Sequence, residues 1–300
     1  MSTPLSSFSA DVARLAATAA ASTVTIGRHG RGSGIVIGTD EVLTNAHNLR
    51  DRTTAVTLPD GTEVQAELVA ADPHGDLAVL KVATGEVPVL PIGAAGALGS
   101  IVVSAGGGRG NPRVALGVIG SVDRRFRGPG GHAVGGAFEH DAALPKGASG
   151  GPVVDVDGQL VGINTHRTAT GYLARPFDEA LLARIESLRS GQHHVPRVLG
   201  VVLAPPHVAS KLRTAVGLDD VPGALVRGVD PDGAAAAAGV REGDMIVAVT
   251  AAGSLADVDG PDTLQAALDR FGPAAELLLS VVRGADRVEV IVTFETPPPA

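Results

Sequence analysis

Ser149 sits among glycines in residues 145–155, PKGASGGPVVD, just before an apolar run that reads as a strand. A serine hydroxyl is a weak nucleophile at neutral pH. It needs a base to take its proton and a third group to orient that base. Among nine histidines His47 stands apart, because it follows an apolar stretch in VLTNAHNL, where a strand end can present it rigidly. Asp76, in DPHGDLAVLKV, enters another apolar run, where a carboxylate needs a partner or a place at the surface. Taken singly, the histidine also fits a solvated loop, the aspartate a turn, and the serine a flexible segment in a chain with 40 glycines. Together, in the order His, Asp, Ser, they have the chemistry for acyl transfer. The tandem His193 and His194 invite a metal, but adjacent side chains do not converge easily on one ion, and neither a metal nor a cofactor is expected.

The elements that must position these groups are short. From about residue 22 to 164 the chain runs through STVTIG, GSGIVIG, TAVTLPDG, EVQAELVAAD, LAVLKVA, SIVVSAG, VALGVIGSV, GPVVDVDG and QLVGINT. β-Branched runs punctuated by Gly, Asp-Gly or Pro-Asp-Gly predict antiparallel sandwiches or barrels, not a doubly wound α/β sheet. Residues 176–190 switch to helical spacing, with Leu181, Leu182, Ile185 and Leu188 on one face. GQHHVPR then reads as a linker, residues 191–197. Beyond Val198 comes a second module with five strand-like runs and two predicted helical segments, the alanine run 234–238 and GPDTLQAALDRFG. The tail 296–300 is expected to be disordered.

Composition bounds the function. The chain has 300 residues, a net charge of −8 and no cysteine, which excludes disulfides, thiol catalysis and cysteine-bound zinc. The acidic balance argues against a nucleic-acid partner, which calls for a basic face. No apolar stretch reaches the roughly 18 residues of a membrane span. Residues 1–22 read as an alanine-rich helical segment with Ser9 as a candidate cap. No basic group precedes Arg14, which itself falls where a signal peptide would be apolar, so a cytoplasmic location is expected.

The His, Asp, Ser order is that of chymotrypsin-type enzymes rather than of subtilisins or α/β-hydrolases. The sequence resembles the HtrA/Deg family of serine proteases from about residue 23 onward. GSGIVIGTDEVLTNAH resembles the family's histidine segment, and DPHGDLAVLKV its aspartate segment. GGGRGNPRVALGVIGSV is similar to the stretch opening the second barrel, and HDAALPKGASGGPVVDVDGQLVGINT to the serine segment. PRVLGVVLA and GALVRGVDPDGAAAAAGVREGDMIVAV resemble a bacterial PDZ domain.

The resemblance implies a mainly β fold, a chymotrypsin-like double β-barrel over residues 23–190 followed by an α+β PDZ domain over 198–295. It implies Ser149 as nucleophile, His47 as general base and acid, and Asp76 as the orienting carboxylate. The amides of Gly147 and Ser149, with that of Ala148 nearby, would hold the oxyanion, and Ala143 with Asn164, Thr165 and His166 would line the substrate pocket. Without a buried acid there, cleavage after small or medium aliphatic residues is expected. In the second module Leu199, Gly200, Val201 and Val202 would form the carboxylate-binding loop and strand, and Thr263, Leu264 and Leu268 the other groove wall. The sequence departs from the family at Ala148, where Asn or Asp is usual, and at Pro145-Lys146, where Asn-Pro is usual. The implied activity is endoproteolysis of unfolded or damaged proteins, with C-terminal peptides bound at the PDZ domain. The alternative is a weakly active or inactive chaperone or peptide-binding scaffold of the same fold. A homotrimer is the implied assembly, with Phe8 the aromatic available in the N-terminal segment.

Overall fold

Strands rich in Val, Ile and Leu bury their alternate side chains only by closing a sheet or packing it on another layer. The computed structural model describes residues 3–27, 30–49, 53–108, 112–127, 133–192, 198–251, 253–271 and 276–294. His193, His194, most of the expected linker and the tail 296–300 lie outside these. The chain divides into two units, Met1–His194 and Val195–Ala300.

In the first unit, helix α1 (Pro4–Ala21) leads into β1 (Thr23–Ile26), β2 (Gly32–Gly38), β3 (Glu41–Thr44), β4 (Thr53–Thr57), β5 (Glu63–Asp72) and β6 (Leu77–Lys81). These six strands close into an antiparallel barrel in the order β1-β2-β3-β6-β5-β4. Val24, Ile26, Val36, Val42, Val56 and Leu80 fill it, each such side chain worth about 1.5–3 kcal/mol when fully buried. β7 (Ile101–Gly106), β8 (Arg113–Arg127), β9 (Ala133–His140), β10 (Pro152–Val154), β11 (Leu160–Arg167) and β12 (Tyr172–Pro176) close a second barrel, ordered β10-β11-β12-β9-β8-β7. Its interior holds Val102, Ile119, Phe138, Val153 and Val161.

A third apolar cluster joins the barrels, taking Ile35, Leu43 and Leu77 from the first and Val103, Ala105 and Ile163 from the second. Helix α2 (Glu179–Arg189) contributes Leu181, Ile185 and Leu188, three of the four residues on its expected apolar face, while Leu182 packs at the margin. Helix α1 adds Leu15 and Ala19 to the same cluster, so the N-terminal helix is part of the protease-like body. Ser9 lies inside α1, whose N-cap is Thr3; Pro4 at the first helical turn supplies no hydrogen-bonding N–H, and the Thr3 hydroxyl accepts from Ser6 N.

The second unit begins with β13 (Val201–Leu203), α3 (Pro206–Ala215), β14 (Ala224–Val229), α4 (Ala234–Ala237) and β15 (Met245–Ala251). It continues with β16 (Ser254–Asp257), α5 (Pro261–Arg270), β17 (Glu276–Arg283) and β18 (Asp286–Thr293). The sheet runs β13-β14-β15-β17-β18, with β16 paired to β15. Two of the helices match the expected segments. The third, α3, is outside the two predicted helical segments; Pro206 opens it and only Ala209 and Arg213 of its length are buried, so it carries little apolar periodicity. Asp244, nearly fully buried, receives both Arg283 Nε and Nη2 at 2.8 Å, which ties the GD turn to β17.

Candidate active site

β3 ends at Thr44, and a 3-10 turn, Ala46–Asn48, carries His47 out of the barrel wall. Asp76 lies just ahead of β6 with φ +53°, a left-handed conformation that aspartate tolerates better than most residues. Its carboxylate is buried and therefore needs donors. His47 Nδ1 lies 2.8 Å from Oδ2 and 2.9 Å from Oδ1, His47 N donates to Oδ1 at 3.1 Å, and Thr165 Oγ1 donates to Oδ2 at 3.1 Å. An ionised carboxylate only accepts, so Nδ1 carries the imidazole proton and Nε2 is left with a free lone pair. The His47 side chain is 34% exposed against 2% for Asp76, so the imidazole faces the cleft and the acid lies behind it.

The turn bearing Asp76 is pinned from several sides. Asn45 Nδ2 donates to Asp76 O at 2.8 Å, and Gly75 N donates to Asp72 Oδ1 at 2.8 Å. Arg175, on β12 of the other barrel, donates from Nη1 to Gly75 O. Burial pulls the guanidinium's pKa down, while Asp72 and Asp178 push it back. Arg184 of α2 pairs with Asp72 at 3.4 Å.

The serine loop crosses between the barrels. Ser149 O accepts from Ser33 N at 2.8 Å and from Asn48 Nδ2 at 3.0 Å, which brings it beside the His47 turn. Ser149 Oγ donates to Thr165 O at 2.9 Å. Thr165 therefore touches both Ser149, through its carbonyl, and Asp76, through its hydroxyl. No hydrogen bond joins Ser149 to His47 among the described residues. Gly147 and Gly150 have φ of +88° and +89°, and a Cβ on Gly150 would overlap Ser33 O. Only glycine holds both positions without strain. Among the described residues, Gly147 N and Ser149 N have no protein acceptor, whereas Gly147 O accepts from Ser33 Oγ at 2.8 Å.

The remaining expected site residues divide. Ala143 is exposed and lines a cavity of about 370 Å³ bounded by residues 141–145, 167–172 and Arg113. Thr165 is buried between Asp76 and Ser149. His166 is exposed and stacks on Phe126, with ring centroids 6.3 Å apart. Asn164 turns its side chain inward, where Nδ2 donates to Ser104 Oγ at 2.8 Å and Ser104 Oγ donates to Pro152 O at 2.9 Å. That order orients the amide, so Asn164 Oδ1 accepts from His140 Nε2 at 2.8 Å. His140 is buried, with no partner for Nδ1 among the described residues, and burial pushes its pKa down. The sequence singled out neither His140, Tyr172 nor Arg175. The one available signal was that His140 is the first residue of the serine segment.

In the second unit β13 is an edge strand paired with β14, and Val202 is 65% exposed on it. Gly200, at φ +76°, forms the turn entering β13. Leu199, Leu264 and Leu268 are buried in the unit's core. Thr263 Oγ1 accepts from Asp259 N and Gly260 N at 2.9 and 3.0 Å, holding the start of α5.

Residues 32–163 match the trypsin-like peptidase domain family. A probable periplasmic serine endoprotease DegP-like from Halomonas elongata is 34% identical over 278 residues, covering 89% of this chain and 56% of that protein. Its counterpart from Chlamydia trachomatis serovar D is 33% identical over 280 residues, covering 89% and 54%. The chain thus spans about half the length of the curated relatives it matches. Among solved structures, the HtrA-type protease AlgW with a decapeptide superposes with a TM-score of 0.76 at 25% identity, over 96% of this chain and 99% of that one. The serine endoprotease from Yersinia pestis superposes with a TM-score of 0.69 at 25% identity, over 94% and 96%. The relatives overturn the expected cytoplasmic location: those from Halomonas, Chlamydia and Brucella are named periplasmic, pointing to an exported chain. The cytoplasmic expectation drew on residues 1–23, and residues 4–21 are a packed helix of the fold, which is silent on compartment. The first unit holds a trypsin-like peptidase domain on a chymotrypsin-like double barrel, and the chain is a homologue of the DegP/HtrA serine endoproteases.

Proposed function

We propose that this chain is a serine endopeptidase in which His47, Asp76 and Ser149 act as one unit. The observation that carries the reading is the Asp76 carboxylate, buried and shared by His47 and Thr165, with Thr165 also in contact with the Ser149 hydroxyl. Catalysis begins when Ser149 turns about χ1 from Thr165 O toward His47 Nε2. Its oxygen bonds to the scissile carbonyl carbon as its proton passes to Nε2, and the carbonyl electrons move to the oxygen. Asp76 stabilises the imidazolium without taking a proton. The N–H groups of Gly147 and Ser149 donate to the oxyanion, each worth about 3–4 kcal/mol if lost. His47 then protonates the leaving amine, the C–N bond breaks, and an acyl-ester remains on Ser149. Water attacks the ester, giving its proton to His47, which returns it to Ser149 as the acid product leaves.

The cavity beside Ala143 is not lined by Ser149 or His47, so the proposed preference for small or medium aliphatic side chains before the cut rests on Ala143 itself, which offers no acid. Asp141, at its rim, is engaged by Val118 N at 2.7 Å and faces the same space as Arg113 and Arg167, so it offers little to a basic residue. The second unit is read as a PDZ domain that takes a substrate's C-terminal peptide as an added strand on β13. One structural neighbour, the HtrA-type protease AlgW, was solved both with a decapeptide and with a tripeptide, which supports peptide binding by this architecture. Unfolded or damaged polypeptides are the proposed substrates, and a homotrimer through the α1 end, where Phe8 is exposed, is the proposed assembly. Casein hydrolysis tests the reading: wild type cleaves and Ser149→Ala does not. Equal hydrolysis by both would refute it, and none by either would favour a peptide-binding scaffold.

A further inference from the structure

We propose that Tyr172 is a positioning residue for the oxyanion loop, acting through a hydrogen bond from its hydroxyl to the Pro145 carbonyl. This deepens the serine-nucleophile reading and rests on it. Tyr172 opens β12, is 2% exposed, and donates from Oη to Pro145 O at 2.6 Å. Its ring packs on Leu144 and Ala148. Behind it, Tyr172 faces His140 in register and the two rings stack with centroids 6.4 Å apart. His140 is itself held by the Asn164–Ser104–Pro152 chain, so the phenol projects from a fixed base.

The loop needs such a tether. Ala148 is buried but has no polar side-chain atom with which to anchor itself. Gly147, at φ +88°, has no side chain either. The peptide that presents Gly147 N is therefore held from its two sides, by Ser33 Oγ on Gly147 O and by Tyr172 Oη on Pro145 O. Releasing the second tether frees the Lys146 peptide units to rotate and turns the Gly147 N–H away from the developing oxyanion. Burial raises the phenol's pKa against the opposing pull of Arg167 and the Ala148 N–H, which keeps the hydroxyl a donor at neutral pH; the titratable or charged groups around it are His140, Arg167, Arg113 and Asp141.

Tyr172→Phe in the full chain keeps the ring and deletes the donor. The expected result is a fall in kcat of roughly ten- to a hundredfold, below the full loss of an oxyanion donor, with KM within about twofold. Affinity for a peptide aldehyde, which forms a tetrahedral adduct, is expected to fall in step with kcat, and the melting temperature to stay nearly unchanged. An unchanged kcat, or a fall in kcat without loss of aldehyde affinity, overturns the proposal. Tyr172 is the chain's one tyrosine, so global replacement with 3,5-difluorotyrosine alters this position alone and provides a second test if the Phe variant misfolds. Its phenol ionises nearer neutrality and, once ionised, cannot donate, so kcat gains an alkaline decline that wild type lacks. Identical pH profiles overturn the proposal. Wild-type Ser149 labelling by a fluorophosphonate is the control: without it the nucleophile reading itself fails, whereas equal labelling rates in wild type and Tyr172→Phe remove only the role of Tyr172.

Discussion

The two barrels contribute to the site by different physical means. The first contributes side chains, His47 and Asp76, whose mutual geometry is fixed by hydrogen bonds to their own functional atoms. The second contributes a backbone path, in which Gly147 and Gly150 adopt positive φ and the loop is held through carbonyls by Ser33, Asn48 and Tyr172. One half is specified by what its residues are, the other by where the chain can go. Damage to the first half should remove chemistry and leave the fold, whereas a side chain forced onto the glycine path of the second should remove both.

Asp76→Asn should have the largest effect on chemistry. With an amide in place of the carboxylate, the proton moves to the wrong imidazole nitrogen, and kcat is expected to fall about 10⁴-fold, far out of proportion to any shift in thermal unfolding. Steady-state kinetics beside a melting curve check it; parallel losses of activity and stability would blur the contrast between the barrels. Gly150→Ala breaks the other half. The new Cβ meets Ser33 O at a φ that L-residues avoid, so a destabilisation of about 2 kcal/mol or more is expected, read by denaturant unfolding, with activity falling with the folded fraction.

The smallest effect concerns the support behind the loop. Burial depresses the pKa of His140 in the folded chain, so below the ordinary value of 6.5 the unfolded chain binds more protons than the folded one. Stability of the first unit should therefore be fully present above that pH and decline as pH falls below it. Glu139, whose pKa is lowered chiefly by the Thr170 hydroxyl, adds a further decline only below the ordinary value of 4.5. His140→Gln is expected to flatten the first of these slopes in melting temperatures measured from pH 7.5 to 5; an unaltered slope would show that another group is responsible for it.

The same contrast explains what the sequence made legible. The strand runs and the helical spacing of Leu181, Ile185 and Leu188 are written locally, and the three candidate triad residues, each ambiguous alone, are legible through their order along the chain and the family resemblance of the segments around them. Tyr172, His140 and Arg175 are not, since their roles come from partners far along the chain: Arg175 reaches Gly75, 100 residues away. The Asn164 side chain, expected at the substrate pocket, points to the interior because buried Ser104 and His140 together satisfy its amide. No periodicity encodes such a pairing.

The most direct measurement of the central claim is the reaction of the intact chain with a fluorophosphonate, the adduct mapped by mass spectrometry. One adduct, on Ser149, formed far more slowly in Asp76→Asn, is the predicted result. Labelling elsewhere, no adduct at all, or a rate indifferent to Asp76 would contradict it.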